Sequence, residues 1–271
     1  MFFLLTLPRL GNADAIICHF FISMLPENAD YFDHVQEFSM NTVLITGANR
    51  GIGLEFATQY AADGWQVVAC CRQPQQAMAL NQLAEQYKDH FSIYQLDVRE
   101  LAEIDQLSQK LHDLSIDVLI NNAGVYPPAQ NGEFGHINYD DWMEAFRVNT
   151  FAPLRMAEAL VKQVARSKLK VIATITSKMA SIDDNQRGGS YIYRSSKTAV
   201  NMVVKSLAID LQPRGIISVL LHPGWVQTDM GGRGALITAK QSVTGMKGIL
   251  DKITHTDTGK FLAYDGQHIP W

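Results

Sequence analysis

Tyr193 and Lys197 stand four residues apart in Tyr191–Leu211, a stretch whose spacing predicts a helix, so their side chains share one face. A lysine one turn from a tyrosine sets a positive charge near the phenol. That lowers the phenol's pKa and suits it to exchange a proton near neutral pH. Ser177 lies sixteen residues before Tyr193, at the end of Lys170–Thr176, which predicts a buried strand. A hydroxyl there, facing the same edge, can donate a hydrogen bond to a substrate carbonyl, where negative charge grows during reduction. Tyr191 competes for the acid role, but Ser195 stands where its lysine would be. Alone, a Tyr and a Lys at this spacing also describe two surface residues of any helix. The elements that carry them decide between the two readings.

The first of those elements is Thr42–Gly53. Val43, Leu44 and Ile45 are uncharged β-formers, as in a strand buried on both faces. Gly47, Gly51 and Gly53 follow. Gly47 can make the tight turn out of the strand, and Gly51 and Gly53 allow close approach of another backbone or a ligand. A helix starting there points free N–H groups and a positive dipole end into the turn, where a pyrophosphate is the usual occupant.

From Met40 onward strand and helix patterns alternate. Predicted strands are Trp65–Cys71, Phe91–Leu96, Asp117–Ile120, Lys170–Thr176, Ile216–Leu221 and Gly259–Tyr264. Predicted helices are Gly51–Gly64, Gln75–Tyr87, Glu100–Leu111, Tyr139–Arg166 and Tyr191–Leu211, with Asn138 as a cap for the fourth. Such alternation implies an α/β fold, a doubly wound parallel sheet in a single domain over 40–271. Ligands then sit beyond the carboxyl ends of the strands. Those ends carry Thr46–Gly53, Arg72, Asp97 and Val98, Asn121-Asn122-Ala123-Gly124, Ser177, and Pro223–Thr228.

Composition narrows the rest. A net charge of −4 without a long basic run argues against a nucleic-acid partner. Cys18, Cys70 and Cys71 form neither a disulfide framework nor a zinc pattern, and the scattered histidines give no metal site, so a reducing, cytoplasmic setting is expected. The apolar runs Phe2–Leu7 and Ala15–Leu25 are too short for a membrane span. Residues 1–39 are expected to be an N-terminal extension without a core role, with Met40 as the functional start; a docking segment is the other reading.

Thr46-Gly47-Ala48-Asn49-Arg50-Gly51-Ile52-Gly53, Asn121-Asn122-Ala123-Gly124, Tyr193-Arg194-Ser195-Ser196-Lys197, and Pro223-Gly224 with Thr228 occur in the order and spacing of the short-chain dehydrogenases/reductases. The chain resembles that family over 42–266, a Rossmann-fold family. Asp265–Trp271 and Ser177–Ser181 resemble its C-factor and sniffer-like carbonyl reductase group. The resemblance implies roles. Tyr193 is the proton donor, Lys197 lowers its pKa and holds the nicotinamide ribose, and Ser177 orients the substrate oxygen. Asn149 links Lys197 to a proton-relaying water. Gly47, Asn49, Arg50, Gly51, Ile52, Gly53, Asn121, Ala123, Gly124 and Pro223 cradle the cofactor. Asp97 and Val98 hold the adenine, and Val226 and Thr228 the nicotinamide amide. Asp229 to about Gly248 covers the substrate, its glycines suiting a mobile lid.

Cofactor preference rests on charge. Cys71 occupies the place where an NAD-preferring protein of such a fold keeps an acid, and Arg72 and Arg50 can converge on a 2′-phosphate, so NADP(H) is preferred and NAD(H) remains possible. The implied function is reduction of an aldehyde, ketone or quinone, by a homodimer or homotetramer paired through its two long helices. A dinucleotide-binding signalling protein with vestigial chemistry is the alternative. An extended-branch epimerase or dehydratase would space its turn G-x-x-G-x-x-G, which this chain does not.

Overall fold

The computed structural model describes residues 40–128, 132–232 and 234–271; the expected N-terminal extension lies outside them. Its centre is a seven-stranded sheet in the order β3-β2-β1-β4-β7-β8-β9. The strands are β1 (Thr42–Thr46), β2 (Gln66–Cys71), β3 (Phe91–Gln95), β4 (Val118–Asn121), β7 (Val171–Ile175), β8 (Ile217–His222) and β9 (Phe261–Ala263). Every neighbouring pair is parallel. The order reverses beside β1, which places the crevice between the ends of β1 and β4.

Helices cover both faces. On one side α1 (Gly51–Ala62) and α7 (Ala239–Leu250) enclose Val43, Ile45, Val67, Val219 and Leu221 with their own Phe56, Ala57, Val243 and Met246. On the other, α3 (Leu101–Lys110), α5 (Ala152–Arg166) and α6 (Tyr191–Asp210) pack on Leu44, Val68, Leu119 and Ile172. Adjacent residues of one strand thus serve opposite faces, which is why the strands read as unbroken apolar runs. At the amino edge, the buried Asp117 carboxylate accepts from Thr42 N (2.9 Å), Lys168 N (3.2 Å) and Leu169 N (3.3 Å), joining β1, β4 and the approach to β7.

Three features depart from the sequence reading. The helix expected over Tyr139–Arg166 is α4 (Tyr139–Phe146) and α5 joined by a π-helical turn, Arg147–Phe151. A two-stranded hairpin, β5 (Gly132–Glu133) and β6 (His136–Ile137), was not expected; strands of two residues leave no periodicity to read. The third is α7, within the segment expected to cover the substrate. Its Val243, Met246 and Leu250 are core residues, and Thr238 caps it by accepting from Gln241 N. Of that segment, 229–232 and 234–238 lie outside the helices and the main sheet. Among the described residues no helix is long and apolar enough to cross a membrane.

Two glycines separate packing from backbone strain. A Cβ on Gly53 would stand 2.2 Å from Gly47 O, whereas one on Gly64 would meet nothing within 4 Å but would sit at φ +77°. Gly53→Ala is expected to cost about 3 kcal/mol or more, the upper end of overpacking. Gly64→Ala should cost about 1–2 kcal/mol, from the left-handed conformation alone. Chemical denaturation of both variants checks the ranking.

Candidate active site

A cleft of about 630 Å³ opens at the carboxyl edge of the sheet. Gly47, Asn49, Arg50, Gly51, Ile52, Gly53, Arg72, Asp97, Val98, Ala123, Gly124, Tyr193, Lys197, Pro223 and Thr228 all line it, as the sequence reading expected. Four expected residues stand elsewhere. Asn121 is buried in β4, within 3.5 Å of Pro153 O and Thr174 Oγ1; its neighbour Asn122 faces the cleft instead. Val226 is buried and paired with Ile237. Ser177 and Asn149 are buried and are not among the residues that line the cleft.

The glycine turn is locked from behind. Thr46 Oγ1 accepts from the amides of Asn122 and Ala123, both at 3.0 Å, and Asn122 Nδ2 donates to Thr46 O (2.8 Å) and Gly47 O (3.2 Å). The N-N-A-G turn therefore fixes the glycine turn rather than merely flanking it. Gly51 takes φ +53°, and a Cβ there would come within 3.2 Å of Thr228 Cγ2. Helix α1 then starts with no side-chain cap and no acid in its first turn. Among the described residues no side chain caps its free amides and positive end, which is the donor set a pyrophosphate requires. The residues present fit a nicotinamide dinucleotide.

At the far end of the cleft, Arg99 grips Asp97, its Nε lying 2.9 and 3.0 Å from the two carboxylate oxygens, while Nη1 reaches Glu144 Oε1 at 3.1 Å. These hydrogen bonds hold the Asp97 carboxyl below the usual range, and nearby Arg72 adds to the effect. Sequence reasoning missed Arg99, since a lone arginine after a strand has no signature. Arg50, expected at the 2′-phosphate with Arg72, pairs with Asp229 at 2.8 Å in an exposed contact.

The reacting end is built on α6 and the π turn. Tyr193 is buried, and burial pushes its pKa up to about 12, with the nearby Ser177 hydroxyl acting in the opposite direction. The lowering expected from Lys197 does not contribute to this shift, the ammonium lying 6.0 Å from the ring centroid. At neutral pH the phenol thus holds its proton. Lys197 Nζ donates to Ile175 O at 2.9 Å, and burial lowers its pKa to about 8. Asn149 lies on the π turn, where the i→i+5 spacing turns it inward. Its Oδ1 accepts from Val125 N (2.9 Å), and its Nδ2 donates to Val125 O and Ser196 Oγ, both at 3.0 Å. The side chain ties the loop after β4 to the residue before Lys197. Tyr126 lies over Tyr193, ring centroids 4.5 Å apart, its hydroxyl 3.0 Å from Ser190 Oγ. Tyr191, the rival tyrosine, packs toward Phe134 and lies outside the cleft lining. The glycines expected to give a mobile lid have another use at Gly231, where a Cβ would stand 1.9 Å from Val226 O.

A buried phenol and a buried ammonium line a cleft that also holds the uncapped start of α1, with the Ser177 hydroxyl beside the phenol, an arrangement suited to hydride chemistry on a carbonyl or alcohol. The family model for short chain dehydrogenase matches residues 41–235. The chain belongs to the short chain dehydrogenase family and is an oxidoreductase. It is similar to the C-signal of Myxococcus xanthus, 43% identical over 159 residues, 58% of this chain and 93% of that protein. It is also similar to the carbonyl reductase Sniffer of D. melanogaster, 32% identical with a TM-score of 0.79, covering 86% of this chain and 100% of Sniffer. An NADPH-bound carbonyl reductase from chicken fatty liver is 33% identical with the same TM-score of 0.79, covering 86% of this chain and 99% of that one.

Burying Lys197 has a pH signature. Its pKa is depressed in the folded protein, so between about 8 and 10.5 the unfolded chain binds a proton that the folded one does not. Stability of the ligand-free protein should therefore rise with pH through that window, and the full penalty applies below it. Lys197→Met should flatten the slope and stabilise the free protein at pH 7 by up to about 3 kcal/mol. Denaturation across pH 7–10.5 for both proteins checks the sign.

Proposed function

We propose that this protein is a cytoplasmic, NADPH-dependent reductase of aldehyde, ketone or quinone carbonyls. The observation that carries the reading is the buried Tyr193 phenol, with Ser177 beside it and Lys197 one helical turn on, in a cleft that also holds the uncapped start of α1. When bound, the cofactor supplies the hydride. The chain's own residues do the rest. The α1 amides and glycine turn take the pyrophosphate, Asp97 and Val98 the adenine, Lys197 the nicotinamide ribose and Thr228 the amide. Ser177 orients the carbonyl oxygen, and Tyr193 delivers its proton there. The Lys197 ammonium favours the phenolate left behind.

Arg72 is the better placed of the two arginines for a 2′-phosphate, being free of an ion pair among the described residues. Arg50 must leave Asp229, an exposed pair worth about 0–1 kcal/mol. The NADPH-bound relative supports this preference. Exposed Met143 and Phe151 on the α4–α5 segment and Met202 and Ile209 on α6 support pairing with a second copy.

Consumption of NADPH by the purified protein against quinones, aldehydes and ketones tests the reading. Tyr193→Phe should keep NADPH binding and lose about 10²–10⁴ in turnover, while Tyr191→Phe stays near wild type; the reverse ranking overturns the assignment. Arg72→Ala should weaken NADPH about ten- to a hundredfold, as loss of a charge-assisted bond does, and leave NADH binding little changed in a titration of both cofactors.

A further inference from the structure

The last residues of the chain are tied to the loop that follows Ser177. Beyond β9 the backbone turns at Gly266 (φ +86°) and runs back beside the strand. Ala263 N donates to Gln267 O (2.8 Å) and Ile269 N to Phe261 O (2.9 Å). Ile269 is buried with Val200, Val204 and Leu220. The Trp271 ring then lies 6.0 Å from that of Phe261, with Lys205 Nζ 5.9 Å from its centroid.

The main-chain oxygen of Trp271 receives three donors: Ile182 N and Asp183 N, both at 3.0 Å, and Ser181 Oγ at 3.2 Å. Those residues directly continue the 3₁₀ turn Lys178–Ala180, which Ser177 opens by accepting from Met179 N at 3.1 Å. Helix α6 holds the same turn from its other side. Arg194 Nη1 donates to Met179 O (3.1 Å) and Thr198 Oγ1 to Ala180 O (2.8 Å). Residues 182–188, which lead on from the turn, are exposed. The root of the Ser177 loop is therefore clamped between α6 and the tail.

We propose that Gln267–Trp271 is a strap that sets the Ser177 loop, and that Trp271 is a positioning residue for the reaction. The catalytic half of this inference rests on the reading of Ser177 and Tyr193 given above. The Ser177 hydroxyl must meet the carbonyl oxygen within a fraction of an ångström of its productive place, and misplacement of about 1 Å costs about a hundredfold. The strap supplies that constraint from outside the cleft, without touching cofactor or substrate. Ring packing against Phe261 brings the Trp271 oxygen to Ile182 and Asp183.

Amide hydrogen exchange over 181–186 and steady-state kinetics, run together on the full chain, test it. Trp271→Ala should speed exchange at Ile182 and Asp183 and lower kcat about tenfold or more, with NADPH affinity unchanged, since the loop bears on the carbonyl and not on the dinucleotide. Trp271→Phe, which keeps a ring against Phe261, should restore both. Ser181→Ala removes one donor to the Trp271 oxygen without disturbing the ring, and also the acceptor of Asp184 N, so exchange is read at Ile182 and Asp183; both readings should move the same way by less, and the test survives if Trp271→Ala fails to fold. Unchanged exchange, or faster exchange with unchanged kcat, overturns the strap. If instead Tyr193→Phe matches wild type, the assigned chemistry fails, and the exchange result still judges whether the tail holds the loop.

Discussion

The structure depends on one buried charge. Lys197 is 5% exposed, and among the described residues its ammonium has a single hydrogen-bond acceptor, the Ile175 carbonyl. An ammonium can donate three hydrogen bonds, so most of its capacity faces a cleft with no protein acceptor for it. The uncapped start of α1 adds a second positive end to the same cleft, and Arg72 a third. Burial without full pairing is costly, and here it lowers the lysine's pKa to about 8. The free protein is built around a deficit of acceptors that an anionic, hydroxyl-bearing ligand removes. Stability is given up at the site, and the deep sheet and the Asp117 junction at its other edge offset the loss.

Surrounding elements keep that lysine where it is. The π turn sends Asn149 to Val125 and Ser196, and Thr150 Oγ1 donates to Ser196 O at 2.8 Å, so two side chains converge on the residue before Lys197. Gly124 leaves room beside it, for a Cβ there would stand 3.3 Å from Asn149 Oδ1 and 3.5 Å from Lys197 Nζ. Tyr193 lies one turn earlier beside Ser177, whose loop is bonded to α6 and to Trp271. The buried face of α6 is thus held by the π turn, the loop after β4 and the loop after Ser177.

Much of this was legible in the sequence, because some residue types allow few alternatives. Strands buried on both faces must be apolar throughout, so Val43–Ile45 and Val118–Ile120 read as strands at once. A turn that takes φ +65° at Gly47 and tolerates no Cβ at Gly53 must spell glycine. Tyr193 and Lys197 were readable because helical geometry puts residues four apart on one face. What escaped depends on contacts between distant segments. The inward turn of Asn149 arises from a π-helical spacing that leaves no pattern in residue types. The Ala239–Leu250 helix reads as part of a lid because its segment opens with Gly231, Gly232 and Gly234. Within the helix, Gly245 meets a packing need, since a Cβ there would stand 2.2 Å from Tyr264 O. Arg50 lines the cleft, but its exposed pair with Asp229, 179 residues away in sequence, leaves no mark in the local residue types. Asn121 and Asn122 are identical in type, and only strand alternation decides which one faces the cleft.

Whether the buried Lys197 ammonium awaits an anionic partner is measured directly by proton exchange on cofactor binding. NADP binding is followed by titration calorimetry at pH 8, near the pKa of Lys197, in buffers of different ionisation enthalpy. A partner for the ammonium raises its pKa, so a fraction of a proton is taken up per cofactor bound, and Lys197→Met abolishes that uptake. Binding heats that do not depend on the buffer, or an uptake that persists in Lys197→Met, would contradict the account.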